Sequence, residues 1–275
     1  MLVFLLFILG LSIGSFLNVL IDRIPNDESP FKGRSYCDKC KKTLKWYDLI
    51  PLISYLYLKG RCRYCRSHIS FYYPLVEIVT GVMFVIAFAY VYGLQSTDYS
   101  LPFSTFNSQL SIFIYSLFIL SSFIVIFFTD LKYGIIPDKI VYSSTVISFL
   151  YLIPFGFAQG ELNTKYLILG SLLSGLGAFG FFLALFLITK GKGMGFGDVK
   201  LAFLIGIILG FPKIIVAFYL AFLTGALVGS ILIIWGKKKL KGGTIPFGPF
   251  LIIGAVLSLF FGEKIIHLVS LWLNF

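Results

Sequence analysis

Charge is scarce in this sequence. Only 13% of its 275 residues are Asp, Glu, Lys or Arg, against 58% hydrophobic and 18% aromatic residues. A soluble globular domain carries about 25% charge, so roughly half the cover of a water-exposed surface is missing. An ordinary cytosolic enzyme, a disordered tail and a coiled coil are excluded as descriptions of the whole chain. Acids are scarcer than bases: 12 Asp and Glu stand against 23 Lys and Arg, a formal charge of +11. That balance alone would suit a nucleic-acid binder, but no long polar helix or strand-rich basic domain is present, and no nucleic-acid partner is expected. Cysteine is limited to four residues in one polar segment, a poor match to a secreted disulfide scaffold. Ten prolines and 27 glycines form neither a collagen period nor a low-complexity linker. Long apolar runs are what the chain has in plenty, and they define an all-α polytopic membrane protein in contact with lipid.

Eight such runs span 1–21, 71–93, 109–129, 140–158, 166–189, 199–211, 214–235 and 249–269. A crossing needs about 20 helical residues, so the sixth is short. Fusing it to the seventh would put Pro212 inside one helix, with a lost hydrogen bond and a steric clash. The alternative is seven crossings with a re-entrant sixth run. The first run lacks a basic n-region, and Asp22-Arg23 follow it without a small-residue cleavage pattern, so a retained helix is expected rather than a signal peptide. Basic residues choose the orientation. With eight crossings, 20 of the 23 Lys and Arg fall in alternate loops on one side, leaving Lys165, Lys213 and Lys264 on the other. Basic loops stay in the cytoplasm; both termini are therefore expected outside, and residues 22–70 inside. An odd number of crossings spoils this asymmetry. The organisation expected is a first transmembrane helix over 1–21, a cytoplasmic module over 22–70 and a helical membrane domain over 71–275.

The module holds Cys37, Cys40, Cys62 and Cys65 as CDKC and CRYC, separated by 21 residues. Each turn points two sulfurs at one ion, and two such turns complete a tetrahedral site. Four ligands with no obvious fifth predict a closed, structural zinc; an iron–sulfur cluster shares the spacing, and four unligated thiols are the remaining reading. The segment is too small to build much core unaided, which favours a metal. Lys39, Lys41, Arg61, Arg63 and Arg66 would offset the thiolate charge. His68 is read as a neighbour of the site, not a ligand.

Two acids stand at the expected cytoplasmic boundary. Asp130 closes the run SSFIVIFFTD, and Asp198 stands in GKGMGFGDVK before the run LAFLIGIILG. Ionisable groups at membrane depth are expensive and are functional candidates. Gly191, Gly193, Gly195 and Gly197 leave little bulk beside Asp198 and would admit an extended peptide; GxGxxG spacing is absent, which excludes that phosphate loop. Two facing carboxylates share a proton. The charged member then activates a water while the neutral member donates to the carbonyl oxygen and later assists the amine's departure. Simpler roles are an interfacial salt bridge for Asp130 and a helix cap for Asp198. Asp138 reads as a cap for the next helix. Asp22 would hold Arg23 or line the site's mouth, and Glu77, inside the second helix, requires a partner or a polar cavity.

These residues resemble the bacterial type IV prepilin peptidases, the leader peptidase and N-methyltransferase family of the GxGD aspartic protease class. The likeness is carried by GSFLNVLIDRIP (14–25), CDKC and CRYC, IPLISYLYLKGRC (50–62), ISFYYPLVE (69–77), TDLKYGIIPD (129–138), GMGFGDVK (193–200) and IPFGPFL (245–251). It implies that Asp130 and Asp198 are the catalytic carboxylates. It also implies cytoplasmic-side cleavage of a basic leader after a glycine, in type IV prepilins or pseudopilins at a bacterial inner membrane. Methylation of the new α-amine by S-adenosylmethionine is implied too. The resemblance assigns no residues to the methyl donor; the amino-terminal region, including Glu77 and the segment before the cysteines, is a candidate place for it. The competing readings are a leader peptidase without methyl transfer and a zinc-stapled transporter or channel with the aspartates on its ion path.

Overall fold

A computed structural model describes residues 1–93, 103–157, 161–235 and 246–272. The expected basic cluster Lys237, Lys238, Lys239 and Lys241, residue Ile245 of the IPFGPFL motif, Ala158 at the end of the fourth expected run, and the last three residues of the expected 71–275 domain lie outside the described residues. Among those described, the regular structure is helical: α1 Leu2–Arg23, α2 Ile53–Tyr57, α3 Tyr72–Gly93, α4 Phe103–Tyr133, α5 Asp138–Phe157, α6 Glu161–Ile188, α7 Phe196–Leu209, α8 Lys213–Ile234 and α9 Gly248–Trp272. Among the described residues, six stretches are long and apolar enough to cross a membrane: Leu2–Asn26, Tyr72–Gly93, Gln109–Tyr133, Ile168–Ile188, Lys213–Leu232 and Gly248–Trp272. The two other expected runs also form helices, α5 and α7. At 14 residues, α7 is about 21 Å long, short of the ~30 Å hydrocarbon core.

Two compact units divide the chain, Met1–Phe128 and Thr129–Phe275. In the first, α1 packs on α3 through glycine. A Cβ at Gly10 would stand 2.6 Å from Gly81 Cα, and one at Gly14 would stand 2.7 Å from Glu77 Cα. Where lipid supplies no hydrophobic drive between helices, such small residues allow the backbone contact that holds them. Polar groups line the same seam. Asn18 Nδ2 donates to the Tyr73 carbonyl at 3.1 Å, and Tyr73 Oη donates to Asp22 at 2.9 Å. Asp22 therefore faces Tyr73, while Arg23 turns away and donates to the carbonyls of Ser29, Lys32 and Arg34, ordering the chain that leads to the cysteines. Glu77, buried in α3, finds its partner in the Leu52 N–H at 2.9 Å. Leu52 holds a positive φ of 58°, a strained backbone that persists only where its surroundings fix it.

In the second unit α7 is the centre. Val199, Leu201, Ala202, Leu204 and Ile205 are all fully buried, and α5, α6 and α9 pack around them. A helix that is apolar on every side beyond its first turn belongs inside protein, and here the surrounding helices enclose it. Its contact with α6 is again backbone to backbone, with a Cβ at Gly206 meeting Gly175 Cα at 2.7 Å. Gly254 of α9 lies against the Ala217 carbonyl of α8 in the same manner. Phe182, Phe218, Phe222 and Phe247 pack as one aromatic cluster that ends beside the start of α9.

Candidate active site

Asp130 lies in the last turn of α4. Gly134 ends that helix in the left-handed region at φ 67°, and its N–H bonds back to the Asp130 carbonyl at 2.9 Å. This is the glycine-terminated helix end, and it swings the chain through Ile135, Ile136 and Pro137 into α5. Asp198 lies in the first turn of α7. It is not the cap residue: Gly195 is, and the Asp198 carboxylate reaches back to accept the Gly195 N–H at 3.0 Å. Gly197 and Asp198 are thus helical rather than part of the preceding loop.

Both side chains are 5% exposed. The first N–H groups of a helix have no intrahelical acceptor. At the start of α9 the Gly248 N–H faces the Asp130 carboxyl, so each acid is met by a helix amino end that favours negative charge. The Asp130 and Asp198 carboxylates interact electrostatically, bringing together residues 68 apart in sequence. Thr129 Oγ1, Asp130 Oδ2 and Asp198 Oδ1 are buried with no hydrogen-bond partner among the described residues. Buried polar atoms are normally satisfied, and the open oxygens of the two acids suit a water and a peptide group.

Three further residues shape the site. A Cβ at Gly248 would stand 2.6 Å from Asp130 Oδ2, and one at Gly197 would stand 3.0 Å from Ile136 Cβ. The same Cβ at Gly248 would stand 3.2 Å from Ile136 Cδ1. Glycine is required at 248 because any side chain would occupy the space of the carboxylate. Gly248→Ala is accordingly expected to lower cleavage by about 100-fold through displacement of Asp130, with helix content unchanged by circular dichroism. Asp138 does not act as the expected cap. The Pro137 carbonyl accepts the first N–H bonds of α5, and both Asp138 oxygens instead hold Lys200 Nζ at 2.8 Å.

The cysteines meet in the first unit. In each knuckle the first cysteine exchanges backbone bonds with the residues four and five positions on: Lys41 N–H to the Cys37 carbonyl and Cys37 N–H to Lys42, then Arg66 N–H to Cys62 and Cys62 N–H to Ser67. Lys41 and Arg66 take matching positive φ values, 55° and 58°. The four Sγ atoms lie within 4.8 Å of one another, with Cys37 and Cys65 at 3.8 Å, and none forms a disulfide. A tetrahedral ion with bonds of about 2.3 Å sets its sulfurs about 3.8 Å apart, so the group fits a metal ion. His68 pairs in a backbone bridge with Arg61. Arg63 is ion-paired to the buried Asp48 at 2.6 Å.

Comparison with known proteins decides the family. Residues 8–91 match the bacterial peptidase A24 amino-terminal domain, and residues 116–230 match the type IV leader peptidase family. The prepilin leader peptidase/N-methyltransferase of Bacillus subtilis is 33% identical over 262 residues, covering 95% of each chain. The chain belongs to the type IV leader peptidase family. Family members of the same description from Aeromonas salmonicida and Neisseria gonorrhoeae are 30% and 28% identical, over 95% and 97% of this chain and 91% and 93% of theirs. No solved structure matches the chain. Both the cysteine cluster and the GFGD segment fall inside the matched regions. Ile136 and the Gly248 N–H lie beside the two acids without any local sequence signal that points there. Gly248 stood within a quoted motif, but nothing local to it pointed to a carboxylate 118 positions earlier.

Proposed function

We propose that this chain is a membrane aspartic endopeptidase that removes the basic leader of type IV prepilins and pseudopilins after a glycine, and then N-methylates the new amino terminus. The observation that carries the reading is the pair of buried, interacting carboxylates with open oxygen atoms, Asp130 Oδ2 and Asp198 Oδ1, in a chain of this family. Two carboxyls at close range share one proton. The ionised member takes a proton from water as the oxygen attacks the scissile carbonyl; the protonated member donates to the carbonyl oxygen. Collapse of the tetrahedral adduct expels the amine, which takes up a proton from the pair, so one water adds across one peptide bond. The pair titrates as a unit, and neither acid owns the proton.

The proposed topology has eight crossings, with the short α7 as the one enclosed by protein. It places the termini outside, and the cysteine module and both acids on the cytoplasmic side of the bacterial inner membrane. The loop basic residues support this orientation. A prepilin whose apolar helix stays in the bilayer then presents its leader junction at the depth of the acids. The metal is proposed to be a structural zinc held by Cys37, Cys40, Cys62 and Cys65; four thiolates complete its shell and leave no open position for substrate.

For methyl transfer, S-adenosylmethionine when bound supplies an electrophilic methyl group. The residues proposed to hold donor and amine lie along the α1–α3 seam. Glu77 is buried and Asn18 Oδ1 is buried without a partner among the described residues, acceptors suited to a cationic sulfonium or an ammonium. Their task is alignment, since oriented reactants remove much of the barrier.

Incubating the purified chain with a prepilin, with and without S-adenosylmethionine, and weighing the product intact tests the reading. Loss of the leader mass is expected in both, with one further methyl mass only when the donor is present. An unshortened prepilin contradicts the peptidase assignment; a shortened product that never gains the methyl group leaves a peptidase alone.

A further inference from the structure

The connection between α4 and α5 touches both acids' surroundings. It begins at Gly134, one turn after Asp130, and ends at Asp138, whose two oxygens grip Lys200 Nζ at 2.8 Å. Lys200 follows Asp198 by two residues on α7, and its ammonium also lies over the rings of Tyr142 and Phe196, 5.5 and 5.2 Å from their centroids. Midway along the connection, Ile136 fills the space left by Gly197, the neighbour of Asp198, and by Gly248, which faces Asp130. The segment is therefore fixed to the amino end of α7 by one ion pair and wedged between two glycines that flank the two acids.

We propose that the Gly134–Asp138 connection, latched by the Asp138–Lys200 pair, sets the separation of the two catalytic carboxylates, and that Asp138 and Lys200 are positioning residues for peptide hydrolysis. The inference rests on the peptidase reading above. Its physical basis is geometric. Proton transfer among two acids, a water and a carbonyl tolerates misplacement of only about half an ångström, and the acids sit on different helices, α4 and α7, that need a common reference. Lys200 is a tether in this role, not a charge offered to substrate, because Asp138 neutralises it. Loss of either partner therefore acts on the chemical step and leaves substrate binding alone.

The test is steady-state cleavage of a purified prepilin by the purified full-length chain. Lys200→Met and Asp138→Asn are each expected to lower kcat by about 100-fold with KM changed less than about twofold, while Lys200→Arg keeps most of the activity. The exchanged pair Asp138→Lys with Lys200→Asp is expected to recover at least about tenfold over either reversal alone, and this recovery carries the proposal even if a single reversal folds poorly. Full kcat in both neutral variants overturns it. So does a loss confined to one partner, or a rise in KM at unchanged kcat, the signature of Lys200 or Asp138 contacting the leader. A wild-type chain that leaves prepilin uncut overturns the function itself, a result distinct from active wild type with active variants.

Discussion

Asp130→Asn and Asp198→Asn are each expected to abolish leader removal, with a loss of at least about 1,000-fold in kcat. Asparagine keeps the shape of the side chain and can neither take a proton from water nor give one to the leaving amine, and each of those transfers contributes about 100- to 10,000-fold. The variants are expected to insert and fold as wild type does. The substitution removes buried carboxylates whose Oδ2 and Oδ1 atoms lack partners, groups that cost the fold more than they give it. A functional site that strains stability is the usual trade. The same two variants are expected to keep methyl transfer to a pilin supplied already cleaved, because the residues assigned to that step lie on α1 and α3. Intact mass of the product reads both activities in one tube. Retained cleavage in either variant would refute the assignment, whereas loss of methylation alongside cleavage would place both steps at the aspartates.

Removing one sulfur ligand has the second largest effect. Cys37→Ser is expected to release the metal and unfold the segment between α1 and α3, seen as zinc content falling from one per chain to near zero and as rapid proteolysis of that segment in membranes. Binding of a structural zinc to such a small module is worth about 10–16 kcal/mol, and little else in the segment replaces it. Its regular structure is slight, the five-residue α2 and two isolated bridges, Tyr36 with Thr43 and Arg61 with His68, beside local turns and the Asp48–Arg63 pair. The knuckles are also tied to the membrane helices through the Arg23 carbonyl contacts and the Glu77–Leu52 bond. Prolonged chelation is expected to reproduce the variant. Unchanged zinc content and unchanged proteolysis in Cys37→Ser would remove the four-sulfur site from the account, and iron in place of zinc would change the cofactor assigned.

How much of this could be read from sequence depended on whether a signal was local. CxxC is a signal contained within four residues, so the grouping of the four cysteines is legible in the sequence. Long apolar runs fixed the all-α class for the same reason. The acids were conspicuous because charge is rare beside runs such as SSFIVIFF and LAFLIGIIL. What escaped notice depended on distant chain segments. Asp138 has the sequence signature of a cap because it follows a proline at a helix start; its partner Lys200 is 62 residues away and carries no local sign of the pairing. The Gly248 N–H acts on Asp130 because a helix begins there, a fact that the local string PFGPF does not convey. Likewise, the hydropathy of α7 suggested a short crossing, while its stability comes from burial against α5, α6 and α9.

Asp130 and Asp198 are proposed to act as one catalytic unit. Single-turnover cleavage of a prepilin by Asp130→Asn, Asp198→Asn and the double variant tests it most directly, because groups that work as a unit give losses that do not add. The expected result is one common residual rate for all three. If the double variant is slower than either single by the product of their separate losses, the two acids work independently and the shared mechanism is wrong.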